Sequence, residues 1–139
     1  MGAELAAGVE IPDNLKLFTG VSLIKATPAD TPYSPGASLT GGANWGFAPG
    51  WLLSADGVYV SAMHEATESR VAGSTNPVAV GAHFLLSARL ARRFSAGGPN
   101  GIRGEVFLAG ENLTDRQFAY QHGYPIPGIN VMVGLRLNR

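Results

Sequence analysis

Seven stretches of this chain alternate apolar and polar side chains with a period of two, and nothing else in the sequence restricts the fold as much. In the first, Ala3, Leu5, Ala7, Val9 and Ile11 share one face and Glu4, Ala6, Gly8 and Glu10 the other. The second sets Leu15, Leu17, Thr19, Val21 and Leu23 against Lys16, Phe18, Gly20 and Ser22. The third sets Ala37, Leu39, Ala43, Trp45 and Phe47 against Ser38, Thr40, Gly42 and Asn44. In the fourth, Trp51, Leu53, Ala55 and Tyr59 face away from Ser54 and Asp56. The fifth runs longest: Val78, Val80, Ala82, Phe84, Leu86, Ala88 and Leu90 oppose His83, Ser87 and Arg89. Ile102, Val106 and Leu108 then oppose Arg103, Glu105 and Glu111, and Ile129, Val131, Val133, Leu135 and Leu137 oppose Asn130, Arg136 and Asn138. Successive side chains of a strand point to opposite faces, so each stretch reads as a strand with one apolar and one polar side. The expectation is an all-β chain, an antiparallel up-and-down meander of about seven strands.

The connections alternate as well. Short turns at 12–14, 48–50 and 95–100 swap with long ones at 26–36, 65–76 and 121–128. Short turns at one end and long loops at the other is the pattern of outer-membrane barrels, with the short turns periplasmic. Trp45, Phe47, Trp51 and Phe94 fall beside the short turns, where an aromatic girdle meets the lipid–water boundary. Composition points the same way: charged residues are 14% of the chain, against roughly 25% in soluble domains. Ten Lys and Arg balance ten Asp and Glu, so no net charge draws the chain to nucleic acid. Without cysteine there are no disulfides or thiolate metal sites. No apolar run approaches the about 20 residues of a membrane-spanning helix. The first residues, MGAELAAGVEIPDN, lack the basic and apolar regions of a signal peptide, so a chain that reaches a membrane is expected to be a fragment carried there by something upstream of Met1. The reading is therefore part of a transmembrane β-barrel. Two others stay open: a non-transport or oligomeric membrane barrel or pore closed by several copies, and a soluble β-barrel ligand-binding protein with its apolar faces turned inward.

From Glu111 onward the chain resembles the end of TonB-dependent outer-membrane receptors. The motifs are the Asn112-Leu113-Thr114-Asp115 step, a following aromatic (Phe118 or Tyr120), the Gly123-Tyr124-Pro125-Ile126-Pro127-Gly128 loop and the closing strand. Thr31-Pro32-Tyr33-Ser34-Pro35 and the Gly50-Trp51 start of the fourth strand are similar to that family's barrel, more weakly. The resemblance implies that residues 1–139 are the C-terminal part of a barrel of about 22 strands that normally encloses a plug. It implies import of a scarce nutrient, most often a ferric siderophore, energised by the TonB complex through a plug this sequence does not contain. Outer-membrane lipid, the remaining strands and plug, or further copies of the chain, would be its partners, and its C-terminus would be periplasmic. One departure stands out: the family commonly ends in an outward aromatic, and strand parity puts Arg139 there.

Candidate contacts follow from this topology. Tyr33, His64, Tyr120, His122 and Tyr124 lie in or beside the long loops, where aromatics and imidazoles meet a ligand. Tyr124 is stiffened by Pro125 and Pro127. Arg89, Arg103, Glu105, Glu111 and Arg136 face the lumen on the last three strands, where they pair across strands or meet the plug. His64, Glu65 and Glu68 are the best local metal-ligand cluster, but no spacing forces them together, so no metal or other cofactor is assigned. Gly97-Gly98-Pro99-Asn100-Gly101 lacks the Lys-Ser/Thr of a phosphate loop, and no nucleophile elbow is present, so no enzyme is expected.

Overall fold

A computed structural model describes residues 1–27, 31–65, 78–96, 101–121 and 124–138. Its main body is one seven-stranded antiparallel sheet. The strands are β1 (Gly2–Ile11), β2 (Leu15–Ile24), β3 (Ala37–Ala48), β4 (Trp51–Val60), β7 (His83–Ala96), β8 (Ile102–Glu111) and β11 (Asn130–Asn138), side by side in that order. Among the described residues two small two-stranded sheets accompany it: β5 (Met63–Glu65) with β6 (Val78–Val80), and β9 (Ala119–Gln121) with β10 (Tyr124–Pro125). The seven-stranded meander is the one the alternation predicts. The sheet is open: β1 and β11 are its edges.

Turn chemistry sets the short connections. Asp13 and Asn14 both take left-handed backbone (φ 74° and 58°), which Asp and Asn tolerate, and so reverse the chain between Ile11 and its partner Leu15. At the next turn Ala48 pairs with Trp51 around Pro49-Gly50; proline presets the first corner and Gly50, at φ 77°, takes the second.

The register places all seven apolar rows on one face. Leu5, Val21, Leu39, Tyr59 and Phe84 form one continuous cross-strand row, and Ile11, Leu15, Trp45, Leu53, Leu90, Leu108 and Val133 form another. The fifth stretch is the exception to a continuous ladder. It breaks at Gly81-Ala82, where His83 Nδ1 lies 3.1 Å from the Gly81 oxygen and Arg116 Nη2 donates to the Ala82 carbonyl at 3.2 Å. Residues 78–80 pair with β5 as a separate two-stranded sheet beyond the main one, so Glu65, the first residue of the loop expected at 65–76, is in a strand, and 66–76 lie outside the described residues.

The hairpin ends are staggered. Between the Ile11–Leu15 rung and the Ala96–Ile102 rung the register advances six residues. That is about 20 Å along the strands, against about 19 Å for the four strand spacings between them. At the long-loop end, the Gly2–Ile24 and Glu111–Asn130 rungs differ by the same six residues across five spacings. The strands are thus inclined by about 40–45° to the normal of the lines joining their ends. The nine residues between the two boundaries on β1 then rise about 22 Å.

There is almost no interior. Met63, Val80 and Ala91 are the buried apolar residues among those described, whereas Leu5, Val9, Leu23, Leu39, Leu108, Val133 and Leu135 are exposed on the apolar face. No second layer from this chain covers that face among the described residues.

Candidate functional site

At the short-turn end, three of the four aromatics expected to form a girdle touch. Trp45 and Phe47 have ring centroids 5.5 Å apart, and Phe47 and Trp51 6.0 Å. Beside them lies Arg92, the one charged residue on the apolar face of the described sheet. Its guanidinium is 5.2 Å from the Trp51 ring, and Nη1 donates to the Pro49 carbonyl in the turn. The side chain runs back toward the rim and keeps its charge near polar groups. Phe94, the fourth aromatic, lies instead over its cross-strand partner Gly104.

The polar face carries the ionic residues singled out on the last three strands. Glu105 is their centre: Oε1 accepts from Arg89 Nη2 at 2.7 Å and Oε2 from Arg93 Nε at 3.2 Å. Arg89 also lies 4.2 Å above the Phe107 ring. That ring in turn covers Gly134, its register partner on β11, where a β-carbon would collide with it. Arg136 stands opposite Glu105 in the register and Arg103 opposite Asn138, yet neither arginine makes an ion pair among the described residues. Glu111 lies apart from this group, at the long-loop end, and accepts from Asn130 Nδ2 at 3.5 Å. Sequence reasoning missed Arg93 and Phe107. The signal for Arg93 was its parity with Arg89; Phe107 breaks the polar alternation, and only the glycine opposite it explains why.

The long-loop candidates fall into separate groups. Tyr33, also left-handed at φ 55°, donates its backbone N–H to the His64 carbonyl at 2.8 Å, which clips the 31–36 segment onto β5. Tyr120 belongs to a second group with His83 and Phe118. The imidazole stacks on Phe118 at 3.8 Å between centroids, and Tyr120 Oη lies 3.4 Å from His83 Nε2. His83 is only 3% exposed, so it is a packed anchor for the 118–121 segment and offers little to a ligand. Tyr124, at 71% exposed, is the freest aromatic of this end. His122 lies outside the described residues, as do Glu68, Gly123 and Arg139. Among the described residues no three His, Asp or Glu side chains converge to hold a metal ion.

The Asn-Leu-Thr-Asp step forms a hydrogen-bonded knot just after β8. Asn112 (φ 48°) donates through Nδ2 to the carbonyls of Arg116 and Pro127, both at 2.9 Å, and accepts the Arg116 N–H on Oδ1 at 2.9 Å. Leu113 donates its backbone N–H to Leu86 and Thr114 its hydroxyl to Phe84, tying the knot to β7. One side chain thus joins the end of β8 to the start of the Pro127-Gly128 approach to β11. Comparison with known proteins found no matching family model, curated protein or solved structure.

Proposed function

We propose that this chain is a wall segment of an outer-membrane transport barrel of the TonB-dependent kind, serving uptake of a scarce nutrient such as a ferric siderophore. The observation that carries the reading is the uncovered apolar face, contributed by all seven strands of a sheet with almost no interior. Soluble monomers rarely expose apolar patches beyond a few hundred Å². Seven strands about 4.8 Å apart and about 30 Å long present on the order of 1,000 Å². The stagger adds support, since an inclination of about 40–45° and a band about 22 Å high suit the tilt of 35–45° and the apolar height of roughly 25 Å of membrane barrels.

Strand parity bears on what completes the wall. With seven antiparallel strands, β1 and β11 run in the same direction. Rings of identical copies would therefore join through parallel seams, whereas antiparallel closure takes an odd number of additional strands. This favours completion by a different set of strands over assembly from copies. In such a barrel the Tyr33, His64, Tyr120 and Tyr124 end faces the medium, where ligand arrives, and the Arg89–Glu105 face lines the lumen around a plug engaged by the TonB complex. The test is refolding with and without detergent micelles, read by circular dichroism and light scattering. A β-rich species formed only in micelles is expected; a monodisperse β-rich monomer in plain buffer would refute the membrane reading.

A further inference from the structure

The polar face is electrically divided. Over β1–β4 it carries Glu4, Glu10, Lys16 and Asp56, and Glu10 and Lys16 pair at 2.7 Å. Toward the short-turn end of β7, β8 and β11 it carries, among the described residues, Arg89, Arg93, Arg103 and Arg136 against the single carboxylate of Glu105. Both oxygens of Glu105 are already taken, by Arg89 and Arg93. Arg103 and Arg136 are exposed, and with Arg93, Ser95 and Asn138 they line one open groove beside Glu105. Four guanidinium groups therefore meet one carboxylate, on a wall whose remaining groove-side polar groups, a hydroxyl and an amide, are neutral.

The spacing of the free cations selects their partner. The free pair, Arg103 on β8 and Arg136 opposite Glu105 on β11, are diagonal neighbours on adjacent strands, so their backbones stand about 7–8 Å apart. An extended peptide repeats its same-face side chains at a matching step of about 7 Å. We propose that this groove docks an extended acidic polypeptide segment with carboxylates at alternate positions, each taking a guanidinium in a charge-assisted, bidentate pair. The groove is defined by register and charge alone, so the inference holds whichever solvent the apolar face meets.

The probe is a fluorescent Asp-Ser-Asp-Ser-Asp peptide, titrated by anisotropy against the full chain in whichever medium, micelle or buffer, gives the folded sheet. Replacing both free cations (Arg103→Gln with Arg136→Gln) should weaken binding by at least about tenfold, the size of one well-formed charged contact. The lysine pair at the same positions should recover part of the loss. Glu105→Gln should tighten binding severalfold, because it removes the groove's carboxylate and releases Arg93 to the peptide; this arm decides the matter even where the double glutamine variant fails to fold. Unchanged affinity in the glutamine pair, or no gain in Glu105→Gln, would overturn the proposal. So would inorganic phosphate competing as well as the peptide at equal charge, which would make the groove a small-anion site.

Discussion

Leu108 and Ile102 offer a direct test of what the apolar face touches. Both lie on β8, both point to the same face, and they are almost equally exposed, at 49% and 50%. They differ in depth. Ile102 pairs with Ala96 on the last rung of its hairpin, whereas Leu108 sits between Leu90 and Val133, six residues inward. Six residues are about 20 Å along the strand and, at the inclination of the sheet, about 15 Å in height. In a band about 22 Å high, Leu108 is within about 4 Å of the middle and Ile102 is at the rim.

An arginine at the midplane of a lipid-facing barrel strand costs roughly 2–4 kcal/mol, and near the interface roughly 0–1 kcal/mol. Leu108→Arg should therefore lower stability in phospholipid by about 2–4 kcal/mol and Ile102→Arg by less than about 1 kcal/mol. With a urea slope of 1–3 kcal/mol per molar, the deep variant moves the unfolding midpoint by about 0.7 M or more. The assay is a reversible urea titration of the chain folded into bilayers, followed by tryptophan emission and circular dichroism. In water the two sites are equivalent, since neither side chain is packed away, and both substitutions would change stability by less than about 0.5 kcal/mol. Equal, small effects in lipid would refute the reasoning, because depth would then have no meaning on this face.

Two further outcomes follow from the long-loop end. Asn112→Ala removes two donated hydrogen bonds and those accepted from the Arg116 N–H and the Thr114 hydroxyl at a buried residue, and puts a β-carbon without polar compensation at φ 48°, so a loss of about 2–3 kcal/mol is expected in the same titration. Asn112→Gly, which keeps the backbone freedom but not the bonds, should fall between; if it matches wild type, the side-chain bonds carry no stability. Phe118→Ala removes the ring stacked on His83, a contact worth roughly 1 kcal/mol, so modification of His83 by diethylpyrocarbonate should quicken by about fivefold while His64 reacts at an unchanged rate. An unchanged His83 rate, read by mass spectrometry of the peptides, would mean that Phe118 does not hold the segment down.

The sheet was legible because its seven alternating stretches each sort cleanly into two faces, and a one-residue slip of any of them would move a whole apolar row to the polar side. Leu15, Leu53 and Leu90 could be placed on one face without knowing their partners. The site was not legible in the same way. Asn112 to Asp115 read as a motif, but the role of Asn112, Leu113 and Thr114 in a knot depends on carbonyls at Phe84, Leu86 and Pro127, and carbonyls carry no sequence signal. The stack of His83 on Phe118 joins residues 35 apart through a strand break that alternation cannot reveal.

The residues that violate the alternation show most clearly how register converts pattern into structure. Phe18 and Phe107 are large aromatics on the polar face, which parity alone would count as errors. In the register Phe18 stands opposite Gly42 and Phe107 opposite Gly134, and each ring fills the space its glycine leaves. A glycine weakens a strand by giving it nothing to pack, and an aromatic laid across from it restores the contact. Phe107 then becomes the platform for Arg89, which reaches Glu105, and Glu105 thereby holds two of the four arginines at this end of the polar face. Arg92 is the converse case, a charge on the apolar face, accepted because Trp51 and the Pro49 carbonyl lie within its reach at the rim. Each misfit is paired with a residue on the neighbouring strand that makes it consistent. The polar face therefore acquires its charge pattern from packing between strands, and the cations left over, Arg103 and Arg136, are the ones whose register partners, Asn138 and the already occupied Glu105, cannot neutralise them.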